Sequence, residues 1–121
     1  MKILIVDDSR SMRMILRRMM SQIGFDDIDE AEHGAAALEL IAQSTPELAL
    51  VDWNMPVMGG QEFIETLRSK RDYDRLKVLV VTSESNPRIV YEALKAGADE
   101  YAMKPTTPEI ITGKLEMMGL S

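Results

Sequence analysis

Strand-length apolar runs alternate with helical stripes five times along 121 residues, and no segment is left over. Residues 2–6, 48–51 and 78–81 are apolar without polar alternation, the pattern of strands buried on both faces of a parallel sheet. Residues 26–31 hold only Ile28 and Ala31 as apolar positions and read as a polar edge strand. Residues 100–103 read as a weak fifth strand. Strand–helix alternation at this spacing gives a parallel sheet covered by helices on both faces. Right-handed crossovers leave few topologies. The expected fold is a doubly wound α/β domain over residues 1–121, five strands in the order 2-1-3-4-5.

The helices have legible ends. Ser9 can accept a hydrogen bond from the free N–H groups of a first helix, and Gly24 closes it. Met12, Ile15, Leu16, Met19 and Ile23 recur at spacings of three and four and form its buried stripe. Arg10, Arg13, Arg17 and Arg18 lie off the stripe, as a solvated face. A second helix spans 34–43, starting after His33 on the solvent side, and Ser44-Thr45-Pro46 breaks it. A third spans about 61–69, with Phe63, Ile64 and Leu67 inward. Asn86-Pro87 and Thr107-Pro108 are both cap-then-proline starts. The fourth helix buries Ile89, Val90, Ala93 and Leu94 and ends at Gly97; the fifth ends near Gly119. Most of the ten methionines read as gap-filling core, and an adaptable contact surface at Met117 and Met118 is the alternative to that reading.

Composition narrows the chemistry. With no cysteine, disulfides and thiolate metal sites are excluded, and a single histidine cannot build a histidine-rich site. Fourteen basic against twenty acidic residues, a net charge of -6, argue against a nucleic-acid partner. No apolar run approaches the ~20 residues of a membrane span. The apolar start meets Asp7-Asp8 at once and reads as a strand, not a signal peptide. A cytoplasmic chain without membrane insertion is expected.

The polar residues ending each strand share one edge of such a sheet, the edge at which ligands bind in open α/β folds. Strand one supplies Asp7 and Asp8, strand three Asp52, strand four Thr82, strand five Lys104. Three close carboxylates repel unless a cation intervenes. A hard divalent cation such as Mg²⁺ suits oxygen donors. A carboxylate can attack phosphorus to give an aspartyl-phosphate, a lysine offers a point charge to a phosphate oxygen, and a threonine hydroxyl offers a donor. Any one of these residues alone reads as a helix cap or a solvated loop position. All five together read as a phosphoryl-acceptor site.

Taken with Trp53-Asn54-Met55-Pro56 after Asp52, Ser83-Glu84 after Thr82, Pro105 after Lys104 and Tyr101 three residues before it, these positions resemble the receiver domain of two-component response regulators. Within that family they look most like the CheY-like, single-domain chemotaxis regulators. The resemblance covers the whole chain and implies a flavodoxin-like (βα)5 fold. It implies that a histidine kinase phosphorylates Asp52. Asp8, Asp52 and the backbone carbonyl of Asn54 would ligate one Mg²⁺ ion, with Asp7 acting through water. Lys104 and Thr82 would contact the phosphoryl group, and Thr82 and Tyr101 would form the switch pair. The Lys104–Pro105 peptide would be cis. The output face would be helix four, strand five and helix five, binding a target such as the flagellar motor switch, and helix one is where a kinase would dock. A phosphatase could act on the phosphorylated form. The chain is expected to act as a monomer.

Departures fall at Gly59-Gly60, where Asp-Gly is common, and at Thr106, where an aromatic is common. The first loses an acidic N-cap of helix three, at a cost of only about a few tenths of a kcal/mol; the second bears on the output face and partner more than on the chemistry. Gly113 inside the last helix costs ~1 kcal/mol relative to alanine. On this reading the chain is no enzyme acting on external substrates: it captures and slowly hydrolyses its own phosphoryl group. A phosphate sink or relay is the alternative within the class. An Mg²⁺-dependent phosphatase with an aspartyl nucleophile needs a general acid two residues on, where Asn54 stands. A flavin-type cofactor binder needs a phosphate loop where Asp7-Asp8 stand.

Overall fold

The computed structural model describes residues 1–120. Five strands, β1 (Ile3–Val6), β2 (Ile28–Ala31), β3 (Leu48–Val51), β4 (Lys77–Thr82) and β5 (Glu100–Met103), alternate with helices α1 (Arg10–Ile23), α2 (Gly34–Gln43), α3 (Gly60–Arg68), α4 (Pro87–Ala96) and α5 (Pro108–Met117). The strands form one sheet in the order β2-β1-β3-β4-β5, every pairing parallel. This is the flavodoxin-like arrangement that the alternation predicts.

The two faces of the sheet carry separate cores because side chains alternate along each strand. Ile3, Ile5, Leu48, Leu50, Leu79, Val81 and Ala102 face α1 and α5, meeting Leu16, Met20, Ile111 and Leu115. Leu4, Val6, Ala49, Val51, Val78 and Val80 face the opposite way, towards α2, α3 and α4, and meet Ala37, Ile41, Phe63, Ile64, Leu67 and Ala93. Burial on both sides removes any need for polar alternation, which is why β1 and β3 are apolar at every position.

The caps form as expected. Ser9 Oγ accepts from Met12 N–H, Asn86 from Arg88 and Thr107 from Ile110, while Gly24 takes a left-handed conformation. His33 caps α2 itself, its Nδ1 accepting from Ala36 N–H at 3.1 Å.

Several sequence expectations need correction. Ile15 is 44% exposed, and the fully buried Met20 takes its place on the stripe of α1. Leu94 is 47% exposed beside the buried Ala93. A residue next to a buried one is rotated by about 100°, and one sheet face covers only part of a helix. Met118 belongs to the core while Met117 is 69% exposed, so they form no common surface. The arginines of α1 are not all solvated. Arg13 and Arg17 grip opposite oxygens of Glu30 on β2, at 3.0 and 2.7 Å.

Arg68, at the end of α3, carries no sequence pattern that sets it apart from other surface charges. It donates to the carbonyls of Gly97, Tyr73 and Leu76 and to the Asp99 carboxylate, tying α3 to the ends of α4 and of the β3–β4 connection. Asp99 in turn accepts from Val78 N–H.

Thr106, the position that departs from the common aromatic, is buried, and its hydroxyl has no partner among the described residues. Valine keeps the shape and removes the unsatisfied group. Thr106→Val should therefore stabilise the fold by about 1 kcal/mol, or roughly 4 °C in Tm. Thermal unfolding of both forms checks this, and a lower Tm would mean that the hydroxyl is satisfied.

Candidate phosphoryl-acceptor site

Register brings the acids together. Val6 of β1 pairs with Val51 of β3, so the next residues, Asp7 and Asp52, leave the sheet level with one another. Asp52 N–H continues the ladder to the Val6 carbonyl at 2.9 Å, and Asp7 N–H continues it to Ala31 at 3.0 Å. Val80 pairs with Val51, which puts Thr82 one step further along the same edge. Lys104 N–H bonds to the Thr82 carbonyl at 2.9 Å, returning the lysine to this edge after β5. The Lys104–Pro105 bond is cis.

Carboxylate oxygens of Asp7, Asp8 and Asp52 lie within 4.8 Å of one another. Lys104 Nζ lies 2.8 Å from Asp7 Oδ2 and 3.4 Å from Asp52 Oδ2, and so bridges the two more buried acids. Asp7 is almost wholly buried and is held at every polar atom. Its Oδ1 accepts from Ser9 N–H at 2.9 Å, and its carbonyl accepts from Arg13 Nη1 at 2.7 Å. Asp8 is exposed, and its carboxylate has no ion-pair or hydrogen-bond partner among the described residues.

Burial pushes the Asp52 carboxyl above the ordinary carboxylate range. The Lys104 charge pulls it down, the neighbouring Asp7 charge pushes it up again, and the Thr82 hydroxyl and the Trp53 N–H lower it. That N–H donates to Asp52 Oδ1 at 2.8 Å. A half-buried carboxylate whose second oxygen is held by a cation can present an oxygen lone pair to an incoming electrophile.

The loop after Asp52 is fixed by close packing. A Cβ on Gly60 would lie 2.6 Å from the Asp52 carbonyl oxygen, so only glycine lets the start of α3 approach so near. The Asn54 side chain donates to Glu84 Oε1 at 2.8 Å, and the Asn54 carbonyl accepts no hydrogen bond among the described residues. Three carboxylates and a free carbonyl are hard oxygen donors, a set that fits Mg²⁺.

Thr82 is buried, and its hydroxyl accepts a long bond, 3.4 Å, from Glu84 N–H. Tyr101 is 8% exposed and packs with the core facing α2 to α4, its hydroxyl donating to the Glu84 carbonyl. Burial, and then the Glu84 charge, push the tyrosine above its ordinary range. Asn54, Thr82 and Tyr101 therefore all meet at Glu84. The sequence marks this residue only as part of the Thr82-Ser83-Glu84 motif, because its contacts depend on loop geometry.

A receiver domain model from the response regulator family matches residues 3–116. The chain is 41% identical over 117 residues to the chemotaxis protein CheY homolog of Campylobacter jejuni, covering 96% of this chain and 90% of that protein. It is 40% identical over 119 residues to the chemotaxis protein CheY1 of Helicobacter pylori, covering 98% and 96%. The structure of Vibrio cholerae CheY4 superposes with a TM-score of 0.88 at 31% identity, covering 97% of each chain.

Because the folded-state pKa of Asp52 is raised, its ionised form opposes folding at neutral pH and its protonated form does not. Asp52→Asn should therefore be more stable than the native sequence at neutral pH without divalent ions. The gap should close as pH falls through the Asp52 pKa. Paired thermal melts across that window test this; a gap that widens on acidification contradicts the assignment.

Proposed function

This chain belongs to the response regulator receiver domain family, and from that premise we propose that it is a CheY-like chemotaxis regulator switched by phosphorylation of Asp52. The bridging of Asp7 and Asp52 by Lys104 at the ends of aligned strands carries the reading. It gathers a carboxylate oxygen, acidic donors and a lysine ammonium at one point.

A histidine kinase supplies the phosphoryl group. An Asp52 carboxylate oxygen forms the new bond to phosphorus as the bond to the donor's imidazole nitrogen breaks, and the electron pair leaves with that nitrogen. Asp7, Asp8, Asp52 and the Asn54 carbonyl would hold Mg²⁺, which when bound supplies charge neutralisation for the phosphoryl oxygens. Lys104 turns from the carboxylates to a phosphoryl oxygen, keeping its charge within the cluster. Thr82 rotates its hydroxyl to donate to another.

Output follows from the links to Glu84. Turning Thr82 towards Asp52 breaks its long bond to Glu84 N–H, and the loop carrying Glu84 leads into α4. Tyr101, bonded to the same residue from β5, is the partner in the switch. The change biases α4, β5 and α5, where Tyr91, Leu94, Met103 and Ile110 are exposed, towards one arrangement. The target is a protein such as the flagellar motor switch. Phosphoryl capture and hydrolysis are self-catalysed, and no external substrate is turned over.

Trp53 is next to Asp52 and 7% exposed, which makes it the reporter. Mg²⁺ should change its fluorescence, and acetyl phosphate should then cause a second, slowly reversing change absent from Asp52→Asn. No response to either would overturn the reading. Lys104→Met removes a resident competing cation. The variant should bind Mg²⁺ at least about fivefold more tightly, since even two unit charges a few ångströms apart in water interact by ~1 kcal/mol.

A further inference from the structure

We propose that Arg13 is a positioning residue for the acidic pair Asp7-Asp8, and that Glu30 and Arg17 hold it in place. The inference rests on reading Asp7, Asp8 and Asp52 as the Mg²⁺ site. Arg13 touches no phosphoryl or ion ligand atom. It donates from Nη1 to the Asp7 carbonyl at 2.7 Å and from Nε to Glu30 Oε1 at 3.0 Å. Only 14% of its side chain is exposed. Arg17 takes the other Glu30 oxygen at 2.7 Å and the Ile28 carbonyl at 2.9 Å, so the carboxylate that aims Arg13 is itself clamped. Glu30 is registered opposite Ile5, on the strand beside Asp7.

The Asp7 carbonyl belongs to the peptide plane joining Asp7 to Asp8. That plane is rigid, so a short charge-assisted bond on its oxygen fixes the direction in which Asp8 leaves the strand. Nothing else among the described residues holds the Asp8 carboxylate. Its aim into the cluster therefore depends on the backbone behind it, as a metal ligand depends on the groups that orient it. Lysine cannot replace the arginine fully, because a single ammonium does not fork between a carbonyl and a carboxylate as a guanidinium does.

The sign of the effect separates positioning from electrostatics. Removing the Arg13 charge, and leaving Glu30 less neutralised, should tighten binding of a cation if charge alone mattered, as it should for Lys104→Met. Positioning requires the reverse. Mg²⁺ titrations followed by Trp53 fluorescence, with the Asp8 amide NMR shift as a second readout, compare the native chain, Arg13→Met and Arg13→Lys. Arg13→Met should bind about tenfold more weakly, with Arg13→Lys between it and the native chain. Equal or tighter binding by a folded Arg13→Met overturns the proposal, as does a lowered Tm of the metal-free form with unmoved affinity. If Arg13→Met does not fold, native affinity in Arg13→Lys overturns it and weakened affinity supports it. A native chain that binds no Mg²⁺ overturns the site reading and this inference together; a native chain that binds, beside an Arg13→Met of equal affinity, overturns this inference alone.

Discussion

The Lys104 ammonium lies between two carboxylates at the end of an aliphatic sheet, 2.8 Å from Asp7 and 3.4 Å from Asp52. Without that cation, two acids side by side at the end of buried strands would repel, and one would be driven towards its neutral form. With it, both stay close and one keeps a reactive oxygen. The arrangement also makes the site exchangeable. A bridging ammonium on a flexible stem can be drawn to a more highly charged group without moving the backbone. Burying an ion pair stabilises little in itself, and removing one partner leaves an uncompensated charge. On the proposed function, the cluster serves cation and phosphoryl binding more than stability.

Everything else at the edge serves to hold these groups level. Parallel register aligns Asp7 with Asp52, the ladder continues through their N–H groups, and Gly60 lets α3 begin against the Asp52 carbonyl. Away from the site, two arginine clamps fasten the layers. Arg13 and Arg17 tie α1 to β2 through Glu30, and Arg68 ties α3 to the ends of neighbouring elements. Glu84 gathers Asn54, Thr82 and Tyr101 where the loop to α4 begins, which gives a change at Asp52 a direct physical route to the exposed side chains of α4 and β5.

The sheet order and the convergence of Asp7, Asp8, Asp52, Thr82 and Lys104 were legible because they follow from local rules. An apolar run ends, a polar residue follows, and a parallel sheet puts all such ends on one edge. The Arg13–Glu30–Arg17 clamp was not legible, since nothing local marks a glutamate on one strand as the partner of arginines a helix away. Ile15, Leu94 and Met117 look like core by composition and spacing. Whether they are covered depends on how a helix is rotated over the sheet, which shifts the boundary of its stripe by one residue. The contacts of Glu84 and the unpartnered hydroxyl of Thr106 depend on loop paths that no periodicity encodes.

The central claim is that Asp52 is the residue that takes the phosphoryl group. The most direct measurement is intact-mass spectrometry followed by peptide mapping, after incubation with acetyl phosphate and Mg²⁺ and rapid quenching. The account predicts one added phosphoryl group, located on the peptide containing Asp52, absent when Mg²⁺ is chelated and lost over time at neutral pH. A phosphoryl group on a different residue, or an unchanged mass under conditions where the protein binds Mg²⁺, would contradict it.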